Sequence, residues 1–227
     1  MSYPEDLVGK YIDWNFRGTA LSASEKSSDD YLLVRPSTNL SVPVFNYRPG
    51  TPGAAGKPPI PARFVPQMTW NISFLDYFPG KVTVVKSSQH PVLTGPMSGC
   101  FLFRYVEQED RSIWFAHVGT SETETVSTEA KRKWKSYADG GRIGEIEGQS
   151  ALRFFDQPTL AKAAKLAEGQ PQIYGLFDHR EFYAVLFARI RSGSQGTGYV
   201  MVCAVRKSYL EPWDKLKKHR LFAFVNK

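Results

Sequence analysis

The sequence predicts an α+β protein, a β-sandwich of mostly antiparallel strands flanked by helices. Three observations indicate this class: apolar runs of strand length recur along the chain, two segments carry helix start and stop signals, and strands and helices do not alternate regularly. The chain has 227 residues, of which 42% are hydrophobic and 14% aromatic, so it can bury one substantial core. We therefore expect residues 1–227 to form a single domain.

Strands are predicted where short apolar and aromatic runs lie between turn residues. The clearest pair is EFYAVLFARIR and YVMVCAVRK, which a Gly/Ser-rich turn joins into a hairpin. Apolar residues on both faces of this hairpin place it centrally in a sheet. Other strands are predicted at 10–16, at 30–34, as a pair on the two sides of the turn Phe78-Pro79-Gly80, at 172–177 and at 221–225.

Two helices are predicted from their end signals. The first has Ser121 or Ser127 as its N-cap and ends before Gly140, and its acidic first half and basic second half suit the helix dipole. The second has Asp156 as its N-cap and Gly169 as its stop signal. A short helical segment is also expected in EPWDKLKKHR, near the end of the chain.

Residues 47–66 are rich in proline and glycine. This composition excludes a helix and a central strand, because proline lacks the backbone N–H that both structures use. The preceding segment is too short to fold alone, so we interpret 47–66 as a surface loop of the single domain rather than as a linker.

The formal net charge is +7, and residues 206–227 carry seven Lys or Arg against two carboxylates. This basic segment is either a solvated surface or a steering patch for an acidic partner. Nucleic-acid binding is disfavoured, because no recognised nucleic-acid-binding motif accompanies the charge. No apolar run approaches the roughly 20 residues of a membrane span, and the N-terminus lacks the pattern of a cleavable secretory signal.

Only two cysteines and four histidines are present, and their spacing matches no metal motif or disulfide framework. We therefore expect no metal ion. A single bridge between Cys100 and Cys203 stays open as an alternative.

The stretch from Thr94 to Thr120 carries the candidate chemistry. Two aromatic-rich runs, 100–106 and 111–117, flank a polar connection and so predict a hairpin. Pairing Val106 with Arg111 places Cys100 directly opposite His117, with Cβ atoms about 4.5–5.5 Å apart. A slip of one residue would send the two side chains to opposite faces. On the predicted register the other face carries Phe101, Phe103, Tyr105 and Trp114.

A thiol next to an imidazole is a candidate nucleophile, because the imidazole can convert it to the reactive thiolate. Ser98 and Gly99 form a small-residue elbow before Cys100, where backbone N–H groups can approach a substrate carbonyl as an oxyanion hole. Thr94, by its side chain or its carbonyl, is the candidate that orients His117. The alternative interpretation is an inert buried cysteine and a histidine satisfied by a carbonyl.

The elements Thr94, Met97-Ser98-Gly99-Cys100 and His117 resemble the site of the bacterial toxin glutamine deamidases, the group that includes the catalytic domain of cytotoxic necrotizing factor and Burkholderia lethal factor. The resemblance implies a helix-flanked β-sandwich, no cofactor, and conversion of a specific glutamine of a host protein to glutamate. It also implies an effector that is made in the bacterial cytoplasm, leaves without a cleavable signal and acts in the host cytoplasm. A monomer and a shallow site are expected.

Two other functions stay open at this point. A cysteine peptidase or a transglutaminase-like enzyme would use the same Cys-His pair. A non-enzymatic β-rich interaction module would instead bind its partner through the basic C-terminal face.

Overall fold

The computed structural model describes residues 4–14, 32–35, 38–97, 99–121, 123–178, 181–192, 196–218 and 222. The strands are β1 (Lys10–Ile12), β2 (Leu32–Val34), β3 (Thr38–Arg48), β4 (Arg63–Leu75), β5 (Val82–Lys86), β6 (Val92–Thr94), β7 (Phe101–Glu107), β8 (Ile113–Val118), β9 (Ile143–Gln149), β10 (Gln172–Asp178), β11 (Glu181–Ser192), β12 (Gly196–Lys207) and β13 (Glu211–Pro212). The helices are α1 (Glu124–Asp139), α2 (Gln157–Leu166) and the single turn α3 (Trp213–Leu216), and 3-10 turns lie at Pro4–Leu7 and Ala151–Phe154.

The strands form a closed barrel and an open sheet. The barrel has the order β1-β12-β11-β10-β6-β4-β3, and the six-stranded sheet has the order β13-β9-β7-β8-β5-β2. The α+β class is therefore confirmed, whereas the predicted β-sandwich is wrong. Sandwiches and barrels both bury one face of each strand, so an alternating pattern does not distinguish them. Closure depends on β1, which pairs with both β3 and β12, and on β6, which pairs with both β4 and β10.

The proline-rich region is the tip of a long hairpin. Strands β3 and β4 pair from Thr38 and Phe74 out to Arg48 and Arg63, so both ends of the predicted loop belong to strands. Residues 49–62 connect them and are exposed. The strands tolerate proline because their register shifts between Val44 and Phe45, and prolines are accommodated where a ladder is irregular.

The strand pair predicted around Phe78-Pro79-Gly80 is not formed. Strand β4 lies in the barrel and β5 lies in the six-stranded sheet, so the turn between them carries the chain from one sheet to the other. Asp76, at the start of this crossing, forms a buried ion pair with Arg35 across 3.6 Å. The local sequence marks the turn but does not say which sheet follows it.

Strands β7 and β8 lie between the helix α1 and the barrel. Phe103 packs on Trp134 of α1, with ring centroids 4.6 Å apart. On the opposite face, Phe115 stacks on Phe177 of the barrel, also at 4.6 Å. Both faces of this hairpin are therefore covered by apolar contacts, and the candidate site residues lie on the face towards the barrel, where Cys100 belongs to the same buried cluster.

The remaining predicted elements are largely present. Strands β11 and β12 form the predicted hairpin, and Asp156 caps α2 by accepting a hydrogen bond from the Thr159 N–H at 2.8 Å. The N-cap of α1 is Thr123 rather than Ser121 or Ser127. Those two serines instead bond to each other, since Ser127 Oγ accepts from the Ser121 N–H and donates to the Ser121 carbonyl.

The strand predicted at 221–225 lies outside the described residues, except for Phe222, which is buried. Among the residues that the structure describes, no helix is long and apolar enough to cross a membrane.

The packing of α1 against β7 gives a stability prediction. Trp134 is fully buried against Phe103 and Tyr105, so Trp134→Ala should lower the free energy of unfolding by about 3–5 kcal/mol. Urea unfolding measures this change. The control is Ser136→Ala on the exposed side of the same helix, which should change it by less than about 0.5 kcal/mol; equal effects in the two variants would contradict the packing described here.

Candidate functional site

The β7–β8 hairpin has a register two residues away from the predicted one. Leu102, not Cys100, lies opposite His117. The Glu107 N–H donates to the Ser112 carbonyl at 2.9 Å, so the connection comprises 108–111 rather than 107–110. Asp110 fixes this turn by accepting from the Ser112 N–H at 2.9 Å.

The predicted direct opposition of Cys100 and His117 is therefore wrong, but their predicted common face is right. A shift of two residues preserves the side-chain alternation of a strand, whereas a shift of one would reverse it. Cys100 lies two residues before Leu102 and one position beyond the last pair, Phe101 with Val118, beside the point where β8 ends.

Thr94 contacts His117 from the other sheet. Its Oγ1 lies 2.6 Å from His117 Nδ1 and donates to the Leu75 carbonyl at 2.8 Å. A threonine hydroxyl has one proton, and a carbonyl can only accept. Because that proton goes to Leu75, Thr94 must accept a hydrogen bond from Nδ1–H. Neutral His117 therefore carries its proton on Nδ1 and presents the lone pair of Nε2.

The free nitrogen of His117 is a buried base. The side chain is 1% exposed, and among the described residues Nε2 has no hydrogen-bond partner of good geometry. Tyr77 packs over the imidazole, with ring centroids 5.0 Å apart at 31°. A buried polar atom without a partner is costly and uncommon in folded proteins. Such an atom beside a thiol is suited to receive the thiol proton.

Cys100 is surrounded by groups that favour its thiolate. The Thr120 N–H donates to Sγ at 3.5 Å, and Thr120 Oγ1 lies 3.5 Å from the same sulfur. Burial acts to raise the pKa of Cys100. The positive charge of His117, the hydrogen bond that the protonated imidazole can donate to the thiolate, and the hydrogen bonds from Thr120 outweigh burial and lower the pKa to about 6. A thiol with this pKa is mostly ionised at neutral pH.

Lys131 of α1 adds a positive charge near this thiolate. Burial lowers the pKa of its ammonium group, while the charge of Cys100 acts in the opposite direction. The lysine is half-buried rather than fully solvated, so its field at the sulfur is less screened than that of a surface lysine.

The elbow before Cys100 depends on glycine. Gly99 has φ +102, a conformation that residues with a Cβ rarely adopt. A Cβ at this position would lie 3.5 Å from Thr120 Oγ1. The Met97 N–H donates to the Ile173 carbonyl at 2.8 Å and so ties the elbow to the barrel. Ser98, the other predicted oxyanion residue, lies outside the described residues.

The site is not shallow. Cys100 is 0% exposed and Thr94 is also fully buried, which corrects the expectation of an open surface site. The reason is that both residues lie where the barrel meets the six-stranded sheet, and Cys100 there belongs to one apolar cluster with Leu102 and Phe115. Any group that reaches Cys100 must be narrow enough to be inserted between these elements.

The other candidates lie apart from this site. Cys203 lies mid-strand opposite Leu186 and is partly buried, and burial raises its pKa. Both cysteines are free thiols, so they do not form the bridge that the sequence left open. Among the residues that the structure describes, no group of three or more His, Cys, Asp or Glu could hold a metal ion.

The basic C-terminal segment is partly neutralised by ion pairs. Lys215 pairs with Glu211 across 3.7 Å and Lys217 with Asp214 across 2.5 Å. Arg206 pairs with Glu181 on the neighbouring strand. Its described part is therefore a mixed surface rather than a uniform cationic face.

Sequence reasoning missed Thr120, Tyr77 and Lys131. Thr120 had a readable signal: with the turn placed one residue later, Gly119 lies opposite Cys100 and Thr120 follows directly. Tyr77 and Lys131 had no such signal in the sequence. Tyr77 lies in the connection between β4 and β5 and Lys131 lies in α1, and only the tertiary structure brings these elements to the site.

The comparisons with known proteins assign no family. No family model matches this chain, and no curated protein matches it. The function must therefore be argued from the site itself.

The environment of Cys100 predicts a distinctive titration. In a Cys203→Ser variant, the ultraviolet absorbance of the thiolate should develop with a midpoint near pH 6, because the pKa of Cys100 is lowered to about 6. The baseline is the Cys100→Ala, Cys203→Ser double variant. A midpoint near the unperturbed value of about 8.5 would show that the surroundings do not stabilise the thiolate.

Proposed function

We propose that the protein is a cysteine-dependent glutamine deamidase that converts a specific glutamine of a host protein to glutamate. The observation that carries the proposal is the ordered contact from Thr94 to His117 to Cys100. Thr94 fixes the Nδ1–H tautomer of His117, Nε2 has no hydrogen-bond partner of good geometry in the part of the chain that the structure describes, and the neighbouring thiol has a pKa of about 6. These are the features of an activated cysteine nucleophile.

The reaction begins when His117 Nε2 takes the proton of Cys100. The thiolate then attacks the side-chain carboxamide carbon of the glutamine and forms a C–S bond, while the electron pair of the carbonyl moves to oxygen. Backbone N–H groups at Gly99 and Cys100 are suited to hold this oxyanion. His117 returns the proton to the departing nitrogen, which leaves as ammonia, and a thioester remains on Cys100.

The second half of the reaction uses the same base. His117 Nε2 takes a proton from a water molecule, and the resulting hydroxide attacks the thioester carbonyl. The C–S bond breaks, the thiolate of Cys100 leaves, and the substrate carries a glutamate. No redox partner or cofactor is needed for the atoms to balance.

The buried site supports a narrow substrate group. A glutamine side chain is unbranched and has its carboxamide at the end of two methylene groups, so it can be inserted while the rest of the substrate stays outside. We infer that a bacterium makes the protein and delivers it as a monomeric effector to the host cytoplasm. The resemblance of Thr94, the Met97–Cys100 elbow and His117 to the toxin deamidases supports this part of the proposal.

The same chemistry has two other outcomes, which product analysis separates. A transglutaminase-like enzyme would pass the acyl group to an added primary amine, and a cysteine peptidase would cleave the backbone. The absence of amine incorporation and of chain cleavage, together with ammonia release, defines the deamidase.

The deamidase proposal predicts that Cys100→Ala and His117→Ala abolish activity while the fold is retained. Each change should lower the rate by roughly 10³-fold or more, because nucleophile and base act as one unit. The measurement is the conversion of glutamine to glutamate in a eukaryotic cell extract, followed by peptide mass spectrometry. Cys203→Ser is the matched control and should be fully active; a glutamine converted equally by wild type and Cys100→Ala would contradict the proposal.

Thr94 gives a separate prediction. Thr94→Val keeps the shape but removes the hydroxyl that accepts from Nδ1–H, so the tautomer of His117 is no longer fixed. We expect activity to fall roughly ten- to a hundredfold, part of the about 10²–10⁴ that general acid–base catalysis contributes. Thr94→Ser keeps the hydroxyl and should retain most activity. Equal activity in the two variants would mean that Thr94 does not orient the base.

A further inference from the structure

We propose that Thr120 is a catalytic residue whose hydroxyl and backbone N–H both donate to Cys100 Sγ and hold it as a thiolate. The inference rests on Cys100 being the nucleophile of the proposed function. It adds Thr120, a residue from the segment after β8, whereas Thr94 contacts His117 and not the sulfur in the contacts described above.

The contact geometry carries the argument. Thr120 N and Oγ1 both lie 3.5 Å from Sγ, which is within hydrogen-bonding distance of the large sulfur atom. Thr120 is 7% exposed and Cys100 is 0% exposed, so water does not compete strongly for either group. Two donors from one residue thus converge on one buried sulfur.

The two Thr120 donors bind the thiolate more strongly than the thiol, because the two forms differ in the protons they carry. A thiolate has no proton and can accept from the N–H and from the hydroxyl together. A thiol has its own proton to place, and neutral sulfur is only a weak acceptor. The two Thr120 donors therefore stabilise the charged form more than the neutral form, as hydrogen bonding to a charged form does in general.

Thr120 is itself held in place. The Tyr77 hydroxyl donates to the Thr120 carbonyl, and the Tyr77 ring packs over His117. Gly119 precedes Thr120 and has no room for a side chain, because a Cβ there would lie 2.4 Å from the Phe78 carbonyl oxygen. The Gly119 N–H donates to the Lys81 carbonyl at 2.8 Å. The segment from Tyr77 to Lys81 thus fixes the peptide that points at the sulfur.

The same segment couples the nucleophile to the base. Tyr77 contacts His117 through its ring and Thr120 through its hydroxyl. Tyr77 is accordingly a positioning residue, which acts through the imidazole of His117 and the carbonyl of Thr120. Removing its hydroxyl alone should loosen Thr120 and leave the ring on His117.

The test measures the thiolate of Cys100 directly, without any substrate. In the Cys203→Ser background, the thiolate absorbance is titrated for Thr120→Val, which removes the hydroxyl at nearly constant shape, and for Thr120→Ser, which keeps it. Thr120→Val should raise the pKa of Cys100 by roughly one unit, given what a hydrogen bond to a charged group contributes. Thr120→Ser should stay at the parent value, and Tyr77→Phe should raise it by a smaller amount.

A Thr120→Val titration that coincides with Thr120→Ser would overturn the inference. Thr120→Ala is a second variant without the hydroxyl and cannot clash, so it replaces Thr120→Val if that protein does not fold. The titration also separates this inference from the proposed function. If the pKa of Cys100 depends on Thr120 but no glutamine is converted, the deamidase proposal fails and the role of Thr120 towards the thiolate holds. If glutamine is converted but the pKa of Cys100 does not change in Thr120→Val, only the inference fails.

Discussion

The site depends on the hydrogen bond between Thr94 Oγ1 and His117 Nδ1. It joins the last residue of a barrel strand to a central strand of the other sheet. Both side chains are buried, so neither can be satisfied by bulk water, and an unpaired polar group in this position would cost about 1–3 kcal/mol. Because the Leu75 carbonyl takes the hydroxyl proton, this bond has one direction and the imidazole one tautomer. The docking of the two sheets thereby sets the chemistry of the base.

The surroundings explain why such a polar cluster persists in a core. Leu102, Phe115 and Phe177 form the apolar cluster that covers the site, and they exclude water from the thiol and the imidazole. Low polarity disfavours an isolated charge, yet it strengthens each interaction between charges and dipoles that are already in place. The polar cluster of Cys100 and His117 is thus favourable only when its hydrogen-bonding and packing partners are present. These partners, Thr94, Tyr77 and Thr120, come from different segments of the chain.

Local sequence predicted much of the fold because many of its signals act over a few residues. The Asp156 cap, the β11–β12 hairpin and the end of α1 near Gly140 follow from short-range hydrogen bonding and backbone preference. The failures have a common cause as well. Pro43 and Pro66 lie within strands because a long-range pairing with a bulge accommodates them, and β4 and β5 part into different sheets because tertiary contacts, not the turn, select their neighbours.

For the site, the sequence by itself predicted that Cys100 and His117 share one face of a hairpin, and this prediction held because the register differs from the predicted one by an even number of residues, which preserves the alternation of side chains. The sequence also indicated a small-residue elbow before the cysteine, and the structure adds a second reason for its glycine, since the backbone of Gly99 adopts φ +102. Only the structure decided the register of the hairpin, in which Asp110 closes the turn. Only the tertiary structure decided that Thr120, Tyr77 and Lys131 lie at the site. Those contacts form where β8, α1 and the connection from the barrel pack together. The residues involved are far apart in the sequence, so no local pattern predicts that they meet.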